Sequence, residues 1–166
     1  MENMETVVQY MQDYGIIFLF IIVYLEYLNL PGLPAGIIMP AAGFLVATSN
    51  INFIYALVIS VLAGMLGSYS LYALGYYIGN PVVDKVYTKF KKSRPAIDKS
   101  FGYLDKYGNK GVFISRLIPV ARTLISLVAG TGKMKVWSFT IYSIGGIAIW
   151  NCGFILAGYI MGIVVR

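Results

Sequence analysis

Residues 111–135 read GVFISRLIPVARTLISLVAGTGKMK. The stretch has membrane character, yet it carries Arg116 and Arg122 among Leu, Ile and Val, with Pro119 between them. On insertion scales an arginine near the middle of a bilayer costs roughly 2.5–3.5 kcal/mol, so charge at that depth is read first as functional. On an unbroken helix a six-residue spacing puts the two side chains about 120° apart. Pro119 has no N–H and clashes with the preceding turn, so it breaks or sharply kinks a helix here. A broken hydrophobic helix can bring both guanidinium groups to one cavity and leave free N–H groups at the start of its second half. Both features suit an anion, above all phosphate, which guanidinium matches through two parallel hydrogen bonds. The competing reading is that the arginines snorkel to an interface or pair with Glu26 for structure alone.

The whole chain has the composition this reading needs. Of its 166 residues 58% are hydrophobic and 12% charged, where soluble domains run to about 25% charged. A mean hydropathy of +0.74, with 18 Gly and 14 Tyr, points to a polytopic all-α membrane protein in which glycines permit close helix approach. The absence of histidine excludes zinc–histidine sites, a histidine general base and phosphohistidine chemistry. A single cysteine, Cys152, excludes an intrachain disulfide and a CxxC motif. No metal, cofactor or catalytic residue is expected. The net charge of +6 is concentrated beside the apolar segments, which favours anionic lipid headgroups over nucleic acid.

Met1 to Gly15 is acidic, lacks the basic start of a signal peptide, and reads as a short interfacial helix. Tyr14 to Leu30 is apolar over about 17 residues, near the lower limit for spanning, and is interrupted by Glu26. NLPGLPAGIIMPAAG (residues 29–43) holds Pro31, Pro34, Pro40, Gly32, Gly36 and Gly43, a density of breakers that argues against a continuous helix. A re-entrant hairpin with its elbow here is expected, since such backbone survives at membrane depth only inside protein or beside a polar cavity. Phe53 to Gly79 reads as a spanning helix closed by Asn80 and Pro81. Residues 81–110 carry Lys85, Lys89, Lys91, Lys92, Arg94, Lys99, Lys106 and Lys110 against Asp84, Asp98 and Asp105. With Val82, Val83, Val86, Tyr87 and Phe90 at helical spacing, they read as basic amphipathic helices on the membrane surface, cytoplasmic by the positive-inside rule. The Arg-Pro-Arg stretch is then a second re-entrant hairpin, returned to the same side at Lys133 and Lys135, and Val136 to Val165 is the last spanning helix.

The two halves repeat weakly. Pro40, Ala42-Gly43, Phe53, Gly64 and GYYIG (Gly75 to Gly79) correspond to Pro119, Ala129-Gly130, Phe139, Gly146 and GYIMG (Gly158 to Gly162). One crossing separates the hairpins, so they should enter from opposite faces, an inverted repeat with its site at the midplane as in secondary transporters. The expectation is a single membrane domain: residues 1–80 as the first half, 81–110 as the basic connector, 111–166 as the second half.

FISRLIPVARTLISLVAGTGKM (residues 113–134), Phe139 and IWNCGFILAGYIMG (residues 149–162) resemble the signature of the DedA family of bacterial inner-membrane proteins, related to the eukaryotic SNARE-associated or VTT-domain lipid scramblases. The resemblance runs from Glu26 to Gly162. It implies a multi-pass protein of the bacterial cytoplasmic membrane that moves a phosphate-bearing lipid, undecaprenyl phosphate or phosphatidylethanolamine, between two facing re-entrant hairpins. Arg116 and Arg122 match the family arginines, Glu26 its first embedded acid, and Trp150-Asn151 the Trp-Asn pair of its last helix. Where the family often has an acid at the elbow, Pro34-Ala35-Gly36 has none, and its Gly-Asp in the first spanning helix is here Gly67-Ser68. Fewer buried acids weaken a carboxylate proton relay.

The substrate site expected is therefore Arg116, Arg122, Glu26, Thr123, Ser126 and Pro119, in a cavity lined by Pro34, Gly36, Pro40, Trp150, Asn151 and Ser68. The leading function is a flippase or scramblase of undecaprenyl phosphate, whose terminal phosphomonoester carries up to two negative charges and suits two arginines with few acids. The alternatives are a phosphatidylethanolamine flippase, a proton- or ion-coupled small-solute transporter with Glu26 titrating, and a structural assembly factor whose arginines merely pair with Glu26. A lipid-phosphate phosphatase is disfavoured by the lack of histidine and of an acidic metal cluster. The partners expected are the phosphate lipid and, through Lys85 to Lys110, an anionic lipid surface. No nucleic acid is expected, and oligomeric state is left open, a homo-oligomer included.

Overall fold

The computed structural model describes the backbone of residues 2–28, 35–48, 51–119 and 121–165, and the side chains of 14–28, 39–48, 51–119 and 121–164. Regular structure among them is entirely helical: α1 (Glu2–Tyr27), α2 (Ala35–Thr48), α3 (Phe53–Ile78), α4 (Asn80–Lys89), a single 3₁₀ turn (Lys91–Ser93), α5 (Arg94–Tyr107), α6 (Lys110–Arg116), α7 (Ala121–Thr131) and α8 (Val136–Val165).

Among the described residues two helices, α3 and α8, are long and apolar enough to cross a membrane, with mean hydropathies of 1.8 and 1.9. Their outer faces present Ile54, Val58, Leu62 and Leu66 on α3 and Ile141, Ile149, Ile160 and Ile163 on α8, all exposed. Contiguous apolar surface of that extent belongs against lipid rather than water. Asn52 caps α3, its side-chain oxygen accepting from the N–H of Ile54 (2.8 Å) and Tyr55 (3.4 Å).

Several sequence expectations are corrected. The separate interfacial helix at the N-terminus is instead the first part of α1, which runs unbroken to Tyr27. Gly15, its one glycine, costs only about 1 kcal/mol relative to alanine and does not stop a helix. α2 forms with Pro40 inside it, so the breakers at Gly36, Pro40 and Gly43 do not prevent a helix there. Only the earlier residues of that run, Pro34 among them, fall outside the described residues. The end of α3 is set by Gly79 at φ 71°, not by Asn80 and Pro81, which open α4. Proline is tolerated there because its missing N–H would be unpaired in a first helical turn.

The connector also differs. α4 and α5 do not turn their apolar stripe outward. Val83, Ala96 and Ile97 are buried against Leu124, Leu127 and Val128 of α7, with Val82, Val86 and Tyr87 packed beside them. The lysines face out. This docking closes over α7, every residue of which from Ala121 to Gly130 is buried.

Glycines let the helices approach closely. A Cβ on Gly43 would overlap the Ile155 carbonyl of α8, and one on Gly158 the Pro40 carbonyl of α2. In the other half, a Cβ on Gly130 would overlap the Tyr72 carbonyl of α3, and one on Gly75 the Leu127 carbonyl of α7. Backbones therefore touch at the α2–α8 and α3–α7 crossings, the two most extensive helix–helix contacts among the described residues.

Candidate functional site

The break foreseen at Pro119 is present. α6 ends at Arg116, Leu117 to Pro119 form a turn, and α7 starts at Ala121. Across that turn the Arg116 side chain reaches the Arg122 backbone carbonyl, and both arginines are 1% exposed.

Their surroundings divide them. Arg116 gives Nη1 to the Arg122 carbonyl (2.9 Å) and Nη2 to the hydroxyls of Ser126 (2.9 Å) and Ser143 (3.0 Å). Its guanidinium lies 5.6 Å from the centre of the Phe139 ring. It therefore fastens α6 to α7 and α8. Arg122, in the first turn of α7, donates Nη2 to Glu26 Oε1 of α1 in a buried ion pair. Its guanidinium lies 5.0 Å from the ring centres of both Tyr27 and Trp150.

A second set of hydrogen bonds holds that aromatic box. Tyr27 donates its hydroxyl to Asn151 Oδ1 (3.0 Å), Asn151 donates Nδ2 to Ser60 Oγ (3.1 Å), and Ser60 donates to the Leu57 carbonyl (2.8 Å). The chain of donors links α1, α8 and α3. On α8 the supporting face is Phe139, Ser143, Ile147, Asn151 and Ile155, spaced by four and fully buried.

The charge does not balance. Among the described residues the buried charged side chains are Arg116, Arg122 and Glu26, two cations against one anion. Arg122 Nε, Arg122 Nη1, Arg116 Nε and Trp150 Nε1 are buried without a hydrogen-bond partner, as are Glu26 Oε2 and Ser115 Oγ. A buried charge left short of partners is expensive. Four nitrogen donors among the described residues are thus left unpartnered beside a net positive charge.

The remaining expected site residues are scattered in role. Ser126 is a partner of Arg116, and Thr123 is buried one residue beyond Arg122. The Arg122 N–H is taken by the Ile118 carbonyl (3.0 Å), so it is not among the free N–H groups expected after Pro119. Pro119 itself is exposed; its part is to break the helix. Ser68 is buried but donates to the Gly64 carbonyl of its own helix (2.7 Å). Pro40 offers its carbonyl to the Gly158 crossing. Trp150 lies against the Arg122 guanidinium, and Asn151 is bonded to Tyr27. Pro34 lies outside the described residues; Gly36 falls in α2, its surroundings outside them.

Sequence reasoning missed Ser143 and Ser60 and left Tyr27 without a structural role. The legible signal was polar residues eight apart, Ser143 and Asn151, on one face of an otherwise apolar helix. A cleft of about 320 Å³ opens elsewhere, between the α5–α6 turn and the end of α7, lined by Phe101, Asp105, Asn109 and Met134 among others. Neither arginine lines it.

Comparison with known proteins agrees with this class of membrane protein. Residues 33–160 match the VTT domain. The chain is 31% identical to undecaprenyl phosphate transporter A of Staphylococcus aureus over 158 residues, 93% of this chain and 77% of that protein. It is 28% identical to protein DedA of Escherichia coli over 151 residues, 90% of this chain and 68% of that one. It is also 28% identical over 163 residues to a Lactococcus lactis protein named alkaline phosphatase-like, 95% of this chain and 76% of that one. The chain spans only part of each relative's length. No solved structure matches. The chain belongs to the DedA family of VTT-domain membrane proteins.

Proposed function

We propose that this protein carries a phosphate-bearing lipid across the bilayer, with undecaprenyl phosphate the first candidate. The observation that carries the reading is the buried net positive charge at Arg116 and Arg122, with unpartnered guanidinium and indole donors around it. A phosphomonoester supplies the missing charge and the missing acceptors together. In this reading Arg122 is the phosphate ligand and Arg116 holds the broken helix in the shape that presents it. Thr123 and Trp150 line the seat. The lipid tails stay in the hydrocarbon while the head group crosses, its charge neutralised on the way. The relative named for undecaprenyl phosphate transport supports that choice of lipid over phosphatidylethanolamine, and the single buried carboxylate leaves little to receive an ammonium.

The architecture proposed for this task is one membrane domain split into 1–80, 81–110 and 111–166, multi-pass in a bacterial cytoplasmic membrane. Each half is a re-entrant hairpin, α1–α2 or α6–α7, followed by the spanning helix α3 or α8. The glycine crossings support the repeat. Gly43 corresponds to Gly130 and Gly158 to Gly75, and each half's returning helix packs on the other half's spanning helix. The lysines of α4 and α5 face an anionic leaflet on the cytoplasmic side.

A second reading has one observation in its favour. The Arg122–Glu26 ion pair is what a purely structural pair looks like. A phosphatase reading, raised by one relative's name, has no histidine to work with. The deciding experiment is transport by the purified protein in liposomes, each labelled lipid tested in turn. Undecaprenyl phosphate should cross faster than phosphatidylethanolamine and than protein-free controls. Equal rates for all lipids, or none above the controls, would overturn the reading.

A further inference from the structure

A guanidinium has two edges that can make paired hydrogen bonds to an oxyanion, Nε with Nη2 and Nη1 with Nη2, and Nη2 carries one N–H on each edge. Glu26 touches Nη2 of Arg122 with one oxygen, while Nε and Nη1 have no partner. One full edge of Arg122 therefore stays open beside its counter-ion. Against the same guanidinium lies the Trp150 ring, its centre 5.0 Å away, with its indole N–H buried and unpartnered. That nitrogen can only donate. Phe154, one turn further along α8, packs on the indole with 4.7 Å between ring centres, and a phenylalanine at 150 would keep such a stack without burying a donor. The neighbouring Asn151 turns its amide to Tyr27 and Ser60 instead.

We propose that Trp150 selects phosphomonoesters: the open edge of Arg122 takes two phosphate oxygens and the Trp150 indole N–H takes the third. The inference rests on the phosphate-transport reading above and names the residue that sets its substrate class. A phosphomonoester has three oxygens outside its ester bond. A phosphodiester, the linkage in phosphatidylethanolamine, has two, and the guanidinium fork uses both. A site built to hydrogen-bond a substrate group rejects the analogue that lacks it, because its own buried polar group is left unpaired. The distances allow the sharing. Donor atoms up to about 8 Å apart can hold one phosphate through hydrogen bonds of about 2.9 Å each, and a nitrogen in a ring centred 5.0 Å from the guanidinium carbon falls inside that reach. The unpartnered Nε of Arg116 is placed differently, in a guanidinium packed on Phe139 and bonded to Ser126 and Ser143. Glu26 keeps its oxygen on Nη2 throughout.

The test is titration of the detergent-solubilised chain with butyl phosphate, a monoester, and with butyl methyl phosphate, its diester. Trp150→Phe keeps an aromatic ring and removes the N–H. Its Kd for butyl phosphate should rise about tenfold, the scale of one hydrogen bond to a charged acceptor, while its Kd for the diester should change by less than about twofold. Equal weakening of both probes would show that Trp150 only holds Arg122 in place, and an unchanged Kd for the monoester would show that the indole is no ligand. Either result overturns the proposal and leaves the phosphate seat standing. Arg122→Lys tests the seat itself and should lose most of the binding of both probes; unaltered binding there removes the seat and the proposal together. Should Trp150→Phe not fold, the wild-type chain labelled with isotopic nitrogen in its two tryptophans decides by magnetic resonance. The Trp150 indole signal should move downfield with butyl phosphate and far less with the diester, while that of the exposed Trp137 stays in place. A Trp150 signal that moves alike with both probes, or with neither, overturns the proposal.

Discussion

Arg116→Lys separates the two arginines most cleanly. The guanidinium reaches three acceptors on two helices, the Arg122 carbonyl, Ser126 and Ser143, at 2.9 to 3.0 Å. A lysine ammonium is a single point on a shorter effective reach and keeps one of these contacts at most. Hydrogen bonds involving a charged group contribute about 1.5–3 kcal/mol each, so losing two removes roughly 3–6 kcal/mol. Part of that is recovered because the ammonium can draw nearer to neighbouring acceptors, which leaves a net loss of about 3 kcal/mol. Arg122→Lys is milder, because an ammonium still pairs with Glu26. Its loss should be the smaller of the two, because the charge opposite Glu26 is kept. Reversible unfolding in detergent micelles, followed by intrinsic fluorescence, measures both. The double variant Ser126→Ala/Ser143→Ala should reproduce most of the Arg116→Lys loss without touching any charge. If Arg116→Lys unfolds like the wild type yet abolishes transport, the division of labour is wrong, and Arg116 is a direct ligand of the phosphate.

Other expectations can be checked alongside. Gly130→Ala forces a methyl into the Tyr72 carbonyl at the α3–α7 crossing; overpacking of this kind costs about 1–3 kcal/mol, and the thermal midpoint in detergent should fall. Gly102→Ala, where an added Cβ meets nothing, should leave the midpoint unchanged or raise it. Tyr27→Phe removes the hydroxyl that reaches Asn151 and leaves that amide oxygen short of a donor, costing about 1–3 kcal/mol in the same unfolding assay. Cysteine labelling from either side of the membrane should find Glu2 and Lys92 on opposite faces; labelling on the same face would replace the opposed-hairpin arrangement with an even number of crossings.

The helical body was legible because apolar length leaves few alternatives. The last helix, Val136 to Val165, falls where the sequence puts it, and so does the first spanning helix to within one residue. Pro119 announced the α6–α7 break, and Arg116 and Arg122 stood out as charges that had to be buried. What the sequence hid is of two kinds. Pro40 reads as a breaker in isolation, but a helix packed closely on α8 accommodates it. Tertiary packing overrides a local penalty there. The different duties of the two arginines depend on which side chains meet them from other helices. Ser143 comes from α8 and Glu26 and Tyr27 from α1, partners 27 to 96 residues away that no local spacing encodes. The inward face of the connector was misjudged for a related reason. An amphipathic stripe shows that a helix buries one side, and only the fold shows that the cover is α7 rather than lipid.

The most direct measurement is undecaprenyl phosphate transport in liposomes by three folded proteins: wild type, Arg122→Ala, and Arg122→Ala combined with Glu26→Gln. Breaking the buried pair in the single variant strands a carboxylate, at a cost of about 3–5 kcal/mol, and the second substitution relieves it. The account predicts that the double variant regains stability and still does not transport, because the phosphate has lost its ligand. Recovery of both stability and transport in the double variant would contradict it, and would show that Arg122 serves only to neutralise Glu26.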